Sequence, residues 1–363
     1  MSFLKRIFGG KQKTNSISSD DLWSWFARHA SEFHRIVKTD RDVDNGFLEK
    51  LMPRLQSIDK QFYCLTGMYD NDTAELIITA EGDIKSFVFV EELVNSAPPI
   101  QGWKFTALKP PADITSFSLN MNGNRFDSNN TYFYYDEDAA YPDEIAIHLL
   151  YDHYSEENKD DVTQGCLLFL ENGIGELKMA TQIDDVSVAT TLPEGRERIP
   201  IGKLEEFLVW REKELVEKYE GTRHDTNSNQ FSLMEAEDKD GMPLIAVVNR
   251  DLLEWDAKAS HPWMMVIEIG FNGEGRNGMP DKGTTSGMED LEDALLEQLT
   301  DREGYLNLGR QTYKGERAIF FACKEFRRSS KIAATVIKQF QDRLDAKYAI
   351  YKDKYWMSME RFR

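Results

Sequence analysis

Apolar residues that continue as a helix stand near the start of the chain, in Leu22, Trp23, Trp25, Phe26, Ala30 and Phe33, behind the capping cluster Ser19-Asp20-Asp21. A second helix is expected over Phe47–Ile58, kinked at Pro53, whose ring leaves no N–H to donate. Phe62–Tyr69 and Ala74–Thr79 predict a hairpin across Asp70-Asn71-Asp72, followed by a buried helix at Ile84–Val94 and a strand at Trp103–Leu108. In the middle of the chain Phe117–Leu119, Tyr132–Tyr135, Glu144–Leu150 and Val186–Thr190 predict strands. Asp160–Met179 predicts a helix weakened at Asn172-Gly173, and Leu204–Tyr219 a charged linker helix.

Towards the end, Phe231–Glu237 and Leu244–Asn249 flank the turn signal Asp240-Gly241, and Trp263–Gly270 is a continuous apolar run expected to be a strand. Met288–Leu299 predicts a helix. Tyr305–Thr312 and Arg317–Cys323 predict a hairpin, and Ile332–Tyr348 a long helix capped by Ser329 or Ser330. Tyr355–Met359 reads as a last strand. The order helix, hairpin, helix, strand thus occurs once in each half. The expectation is an α+β chain of two or more ferredoxin-like plaits (the β-α-β-β-α-β type) with antiparallel sheets, joined by a linker helix. The expected division is a flexible segment over 1–19, an α+β domain over 20–192, a linker over 193–222 and a second α+β domain over 223–363.

Composition narrows the function classes. A net charge of −19 opposes general nucleic-acid binding, whose affinity comes mostly from phosphate contacts. The densest basic stretch, Lys331–Arg363, holds Lys338, Arg343, Lys347, Lys352, Lys354, Arg361 and Arg363. It reads as the solvated face of a helix plus a tail, with an RNA-associated role as the weaker alternative. Cys64, Cys166 and Cys323 are far apart and form no CxxC pair, which points to reduced core thiols and a cytoplasmic protein. No run reaches the roughly 20 apolar residues of a membrane span. The basic opening segment, with Phe3, Leu4, Ile7 and Phe8, lacks the apolar core of a signal peptide and could touch a membrane surface only weakly.

Candidate chemistry is sparse. Gly273-Glu-Gly275-Arg-Asn-Gly278 follows a strand, but Pro280 bars Met279 from helical geometry, so a dinucleotide cradle is not expected. His148 and His153 stand five apart on an extended segment and point to opposite faces, which argues against a shared metal. Adjacent carboxylates (Asp136-Glu137-Asp138, Asp143-Glu144, Glu156-Glu157, Asp160-Asp161 and Asp184-Asp185) are numerous in a chain with 63 acidic residues, and none stands out as an acid/base pair. No catalytic, cofactor-binding or metal-binding residue is assigned and no cofactor is expected. The glycine-rich loop after Gly270 is longer than a structural connection needs, and its Arg276, Asn277 and Met279 are candidate partner-contact residues.

Several segments in order carry a family resemblance: Asp240-Gly-Met-Pro243 with its strand, Trp263–Gly270, and Asn277-Gly-Met-Pro280. Met288-Glu-Asp-Leu-Glu-Asp-Ala-Leu295, Gly309-Arg-Gln-Thr312 and Gly315-Glu-Arg-Ala-Ile-Phe-Phe321 follow. On these, the region from about Arg223 to Arg363 resembles the bacterial family called domain of unknown function 695. A fainter likeness in layout and acidity is to the regulator of ribonuclease E activity B family, whose members are ferredoxin-like and act by binding a protein. The resemblance implies a cytoplasmic binding or regulatory protein that works by protein contact, and it supplies no catalytic motif. The alternatives are an enzyme whose site lies between domains and uses carboxylates without a local signature, or an RNA-associated regulator.

Overall fold

The computed structural model describes residues 17–363, so the expectations for the opening basic segment lie outside the described residues. The chain divides into two compact units, Met1–Lys109 and Pro110–Arg363. This division falls inside the 20–192 stretch.

In the first unit, helix α1 (Ser19–Thr39) opens on a capping box in which Ser18 and Asp21 bond each other's backbone N–H. Its buried stripe Leu22, Phe26, Ala30, Phe33 and Val37 follows helical spacing. A single π-helical turn, Asp44–Leu48, leads into α2 (Glu49–Ile58), which contains Pro53. Strands β1 (Tyr63–Met68) and β2 (Ala74–Thr79) form the expected hairpin. Helix α3 (Ile84–Asn95) then carries the chain to β3 (Trp103–Ala107), which lies parallel to β2. Aromatic packing fills the core: Phe26 meets Trp103 edge-on at 4.9 Å, and Trp103 Nε1 donates to Ala30 O at 3.0 Å.

The second unit begins with a short hairpin, β4 (Leu119–Met121) and β5 (Asn124–Phe126), longer than the single strand expected at Phe117–Leu119. Strands β6 (Thr131–Asp136) and β7 (Ala146–Tyr151) are antiparallel. Helices α4 (Lys159–Ile174) and α5 (Glu176–Gln182) cross to β8 (Asp185–Ala189), parallel to β7. The break between the helices is at Gly175, whose φ of +82° suits glycine, and not at Asn172-Gly173. A two-residue strand β9 (Ile199–Pro200) completes the order β8-β7-β6-β9. The hairpin, helix and parallel strand of the first unit therefore recur here. Helix α6 (Leu204–Lys218) is more than a linker, because Leu204 and Leu208 are buried in a core with Phe133, Ile147 and Phe169.

Beyond α6 a six-stranded, wholly antiparallel sheet forms in the order β10-β11-β13-β14-β12-β15. Its members are β10 (Phe231–Glu237), β11 (Pro243–Asn249), β12 (Trp263–Gly270), β13 (Tyr305–Tyr313), β14 (Glu316–Cys323) and β15 (Asp345–Lys352). One turn of helix, α7 (Arg250–Leu253), follows β11, while α8 (Lys282–Leu296) and α9 (Arg327–Phe340) link the later strands. Phe320 and Ala322 join Met264, Val266, Leu306 and Trp356 on one face, and the equally buried Ile319 and Phe321 alternate to the other.

Two expectations fail at this end. The helix expected to reach Tyr348 stops at Phe340, and Asp345–Lys352 is a strand paired along its whole length with β12. Leu344 and Tyr348 imitate a helical turn, but Ala346, Tyr348 and Ile350 also alternate, and the ladder with β12 decides between the two periods. The last strand is thus β15, and Met357–Phe362 forms 3-10 turns. Neither Ser329 nor Ser330 caps α9. Phe326 stands at the cap, and Ser329 Oγ turns back to Glu325 O and Phe326 O.

Gly309 permits close approach of β13 to β11. At φ +125°, in a β-bulge, a Cβ added there would stand 2.1 Å from Val247 O. Gly309→Ala should cost roughly 3 kcal/mol or more, seen as a lowered midpoint in urea denaturation of the second unit's transition. A change below about 0.5 kcal/mol would show that the strands shift apart freely.

Candidate functional site

The residues singled out by sequence lie at one end of the six-stranded sheet. Arg276 and Asn277 are exposed and Met279 is half-buried. Arg276 bonds its own loop, through Nη2 to Asn272 O at 2.5 Å and Nε to Met279 O at 3.3 Å. Gly315 N donates to Gly278 O at 2.9 Å and Phe271 N donates to Gly315 O at 2.8 Å, so the loop is tied to the β13–β14 turn. Gly278 needs no side chain here, since a Cβ would sit 2.9 Å from Lys314 Cα and 3.1 Å from Met242 Cε. The segments Asp240–Pro243, Asn277–Pro280 and Gly315–Phe321 thus meet in space. Helix α8, capped by Asp281, starts only at Lys282, four residues past the last glycine of the GxGxxG pattern.

His148 and His153 do not converge. His148 stacks on Tyr134 at 4.6 Å, with Nδ1 2.7 Å from Ser187 Oγ and Nε2 2.9 Å from Asp136 Oδ2, while His153 is exposed. Among the described residues, no group of three or more His, Cys, Asp or Glu side chains is arranged to hold a metal ion. No helix among them is long and apolar enough to cross a membrane. The three thiols are free. Burial pushes those of Cys64 and Cys166 up to about 12 and that of Cys323 higher still, so none is poised as a nucleophile.

The concentration of perturbed groups lies elsewhere in the second unit, where α5, α6 and the segment before β7 face the starts of β12 and α9 and the end of β15. A cavity of about 460 Å³ opens there. Its apolar wall is built from Leu177, Leu215, Val216, Trp263 and Phe326. Lys178, Arg211, Arg327, Lys352 and Lys354 supply more positive than negative charge, the acidic members being Asp143, Glu212 and Glu325. The volume suits a small molecule.

One wall is a hydrogen-bonded chain of side chains far apart in sequence. The Asp143 carboxylate accepts two bonds from Lys218 Nζ (2.8 and 2.9 Å), one from Tyr219 OH (2.7 Å) and one from Tyr355 OH (2.8 Å). Burial opposes its ionisation, but these donors together hold it below the ordinary value of 3.8. Lys354, buried, donates to Asp143 O at 2.5 Å and to Asp184 Oδ2 at 2.7 Å, and Ile145 N donates to the same oxygen at 2.7 Å. Asp184 Oδ1 forms an ion pair with Lys352 Nζ at 2.9 Å, and that buried ammonium has further donors without a protein acceptor. Burial, aided by the Lys354 charge and opposed by Asp184, brings Lys352 down to about 8. Glu144 beside them is raised, first by burial and then by Asp184.

Lys352 and Lys354 contradict the solvated tail expected of Lys331–Arg363. With β15 a strand and the chain beyond it folded back, both are drawn inside. Asp143 and Asp184 had appeared only as two among many loop carboxylates. A charge spaced by a strand end would have been the sole local signal, and it depended on placing β15 correctly.

Residues 235–362 match the model of a family of unknown function, DUF695, as the resemblance implied for the C-terminal part. The match takes in the β12, α9 and β15 side of the cavity, and the Asp143, Asp184 and α6 side lies outside it. No curated protein and no solved structure matches the chain.

Asp143→Asn leaves Lys218 and two tyrosines around a neutral group and should destabilise the second unit by about 3 kcal/mol at neutral pH. Because its folded value is depressed, Asp143 contributes stability above its unfolded value and loses it as pH falls through the folded one. The gap in melting temperature between wild type and variant should therefore be full above 3.8 and close below it. A gap that persists unchanged in acid would show that the carboxylate charge is not what the network uses.

Proposed function

We propose that the second unit binds a small organic anion in this cavity. The observation that carries the reading is Lys352, a lining residue of a largely apolar chamber whose buried ammonium has one ion-pair partner, Asp184 at 2.9 Å, and donors left unmet. A buried ammonium with unmet donors is costly even when ion-paired, and an anion would take up the remaining donors. Trp263, Phe326, Leu215 and Val216 would cover the hydrocarbon part, while Arg211, Arg327 and Lys178 add positive field around the opening.

A second reading, contact with a protein, is favoured by the open edge of the six-stranded sheet. On edge strand β10, Phe231 and Leu233 are 51% and 64% exposed, and unpaired edges invite a further strand. The Arg276, Asn277 and Met279 loop at the end of the same sheet belongs to this reading. So does a ferredoxin-like plait for the C-terminal part, supported by the order β13-β14-β12-β15 with α8 and α9 as crossovers, and a cytoplasmic location.

The cavity reading predicts that small carboxylic acids with apolar bodies raise the melting temperature of the full chain while their amides do not. A bound acid at a hundredfold excess over its Kd stabilises by about 2.7 kcal/mol. Leu215→Trp, which fills the chamber, should abolish the shift. Equal shifts from acids and amides, or shifts that survive the filled chamber, would place binding elsewhere. For the second reading, Leu233→Lys should leave the melting temperature unchanged and remove a bound protein partner.

A further inference from the structure

We propose that Lys352 is a nucleophile and that the cavity's ligand is a small carbonyl compound bearing a carboxylate, captured as an imine on Lys352 Nζ. The inference rests on the anion-binding reading and sharpens it. A plain anion site is served best by arginines and by lysines that stay fully charged. Three observations about the position of Lys352 bear on this.

First, Lys352 is the last residue of β15, so its backbone is fixed by the ladder with β12 and its side chain starts from a rigid strand end. A nucleophile needs such placement, since misplacement by an ångström is costly in rate. Second, two lysines share one carboxylate. Asp184 gives Oδ2 to Lys354 at 2.7 Å and stands 2.9 Å from Lys352 Nζ. Lys354 is further held by Asp143 O, which leaves Lys352 as the partner with unmet donors. A second ammonium alongside and a low-polarity surround both favour the free amine, and the lowered proton affinity of Lys352 agrees with that arrangement. Third, Lys352 and Lys354 line the same cavity as Arg211 and Arg327, so an amine and the positive field that would attract a carboxylate stand around one chamber. Among these groups an arginine cannot serve as the amine, whereas Lys352 can.

The step balances without an added oxidant or reductant. Neutral Lys352 Nζ attacks the carbonyl carbon, forming the C–N bond as the C=O π electrons move to oxygen. The oxygen takes up two protons, the two that nitrogen gives up on the way to the imine, and leaves as water. Asp184, against Nζ, is placed to accept a proton from nitrogen, and the Lys354 ammonium, on the same carboxylate, is placed to return one.

The test uses the full-length protein with pyruvate and 2-oxobutanoate as probes and sodium borohydride, which reduces an imine to a stable amine. Peptide mass spectrometry should find the reduced adduct on Lys352 above every other lysine, with a pH profile that rises through about 8. Lys352→Arg should remove it. Should that variant misfold, competition in the wild-type chain decides: saturating acetate or butyrate, which lack the carbonyl, should protect Lys352 without protecting surface lysines. Labelling spread over exposed lysines, or centred on Lys354, would overturn the proposal. If carboxylic acids stabilise the protein and no adduct forms on Lys352, the anion site stands and the nucleophile is refuted. If neither is seen, the anion reading falls as well.

Discussion

The second unit depends on one buried ammonium. Lys354 reaches from the chain beyond β15 to the backbone carbonyl of Asp143 and the carboxylate of Asp184, residues that are 211 and 170 positions away. A lysine that is 3% exposed is costly to bury unless its donors are met at good geometry, so the two contacts are a condition of the fold and not an addition to it. They bring the start of β7 and the start of β8 against the end of β15. The cavity, the Asp143 cluster and the state of Lys352 all follow from that junction.

The same junction explains why so little of the site could be read from the chain. A hydrogen bond between residues about two hundred positions apart leaves no spacing pattern in either neighbourhood. Asp143 and Asp184 look like loop carboxylates, and Lys352 and Lys354 like the basic end of an acidic protein. Their burial is set by where β15 lies, and β15 was masked by the helical spacing of Leu344 and Tyr348. Once Asp345–Lys352 is a strand, the alternation of Ala346, Tyr348 and Ile350 accounts for it, but only the ladder with β12 makes that period the governing one.

Other parts were legible because one strong physical signal sufficed. Trp263–Gly270 is apolar on both faces, as befits a strand between β14 and β15 with cores on either side. The β10–β11 turn needs a left-handed residue and has Gly241 at φ +73°. The β13–β14 turn places Lys314 at φ +47° and Gly315 at +80°, and the tight pairing of Tyr313 with Glu316 follows. These are local constraints, and a sequence displays local constraints directly.

The recurrence of hairpin, helix and parallel strand in both units has an outcome that concerns chemistry more than shape. In the second unit the residue just before the parallel strand is Asp184, and Asp143 stands three places before the second hairpin strand. The same places in the first unit, before β3 and before β2, hold Gly102 and Asn71. Gly102 adopts φ +80° with His34 packed 3.2 Å from where its Cβ would be, so a carboxylate could not stand there without strain. The two scaffolds are alike in outline and differ in their charges: the strand ends of the first carry glycine and a neutral amide, and those of the second are sockets for lysine.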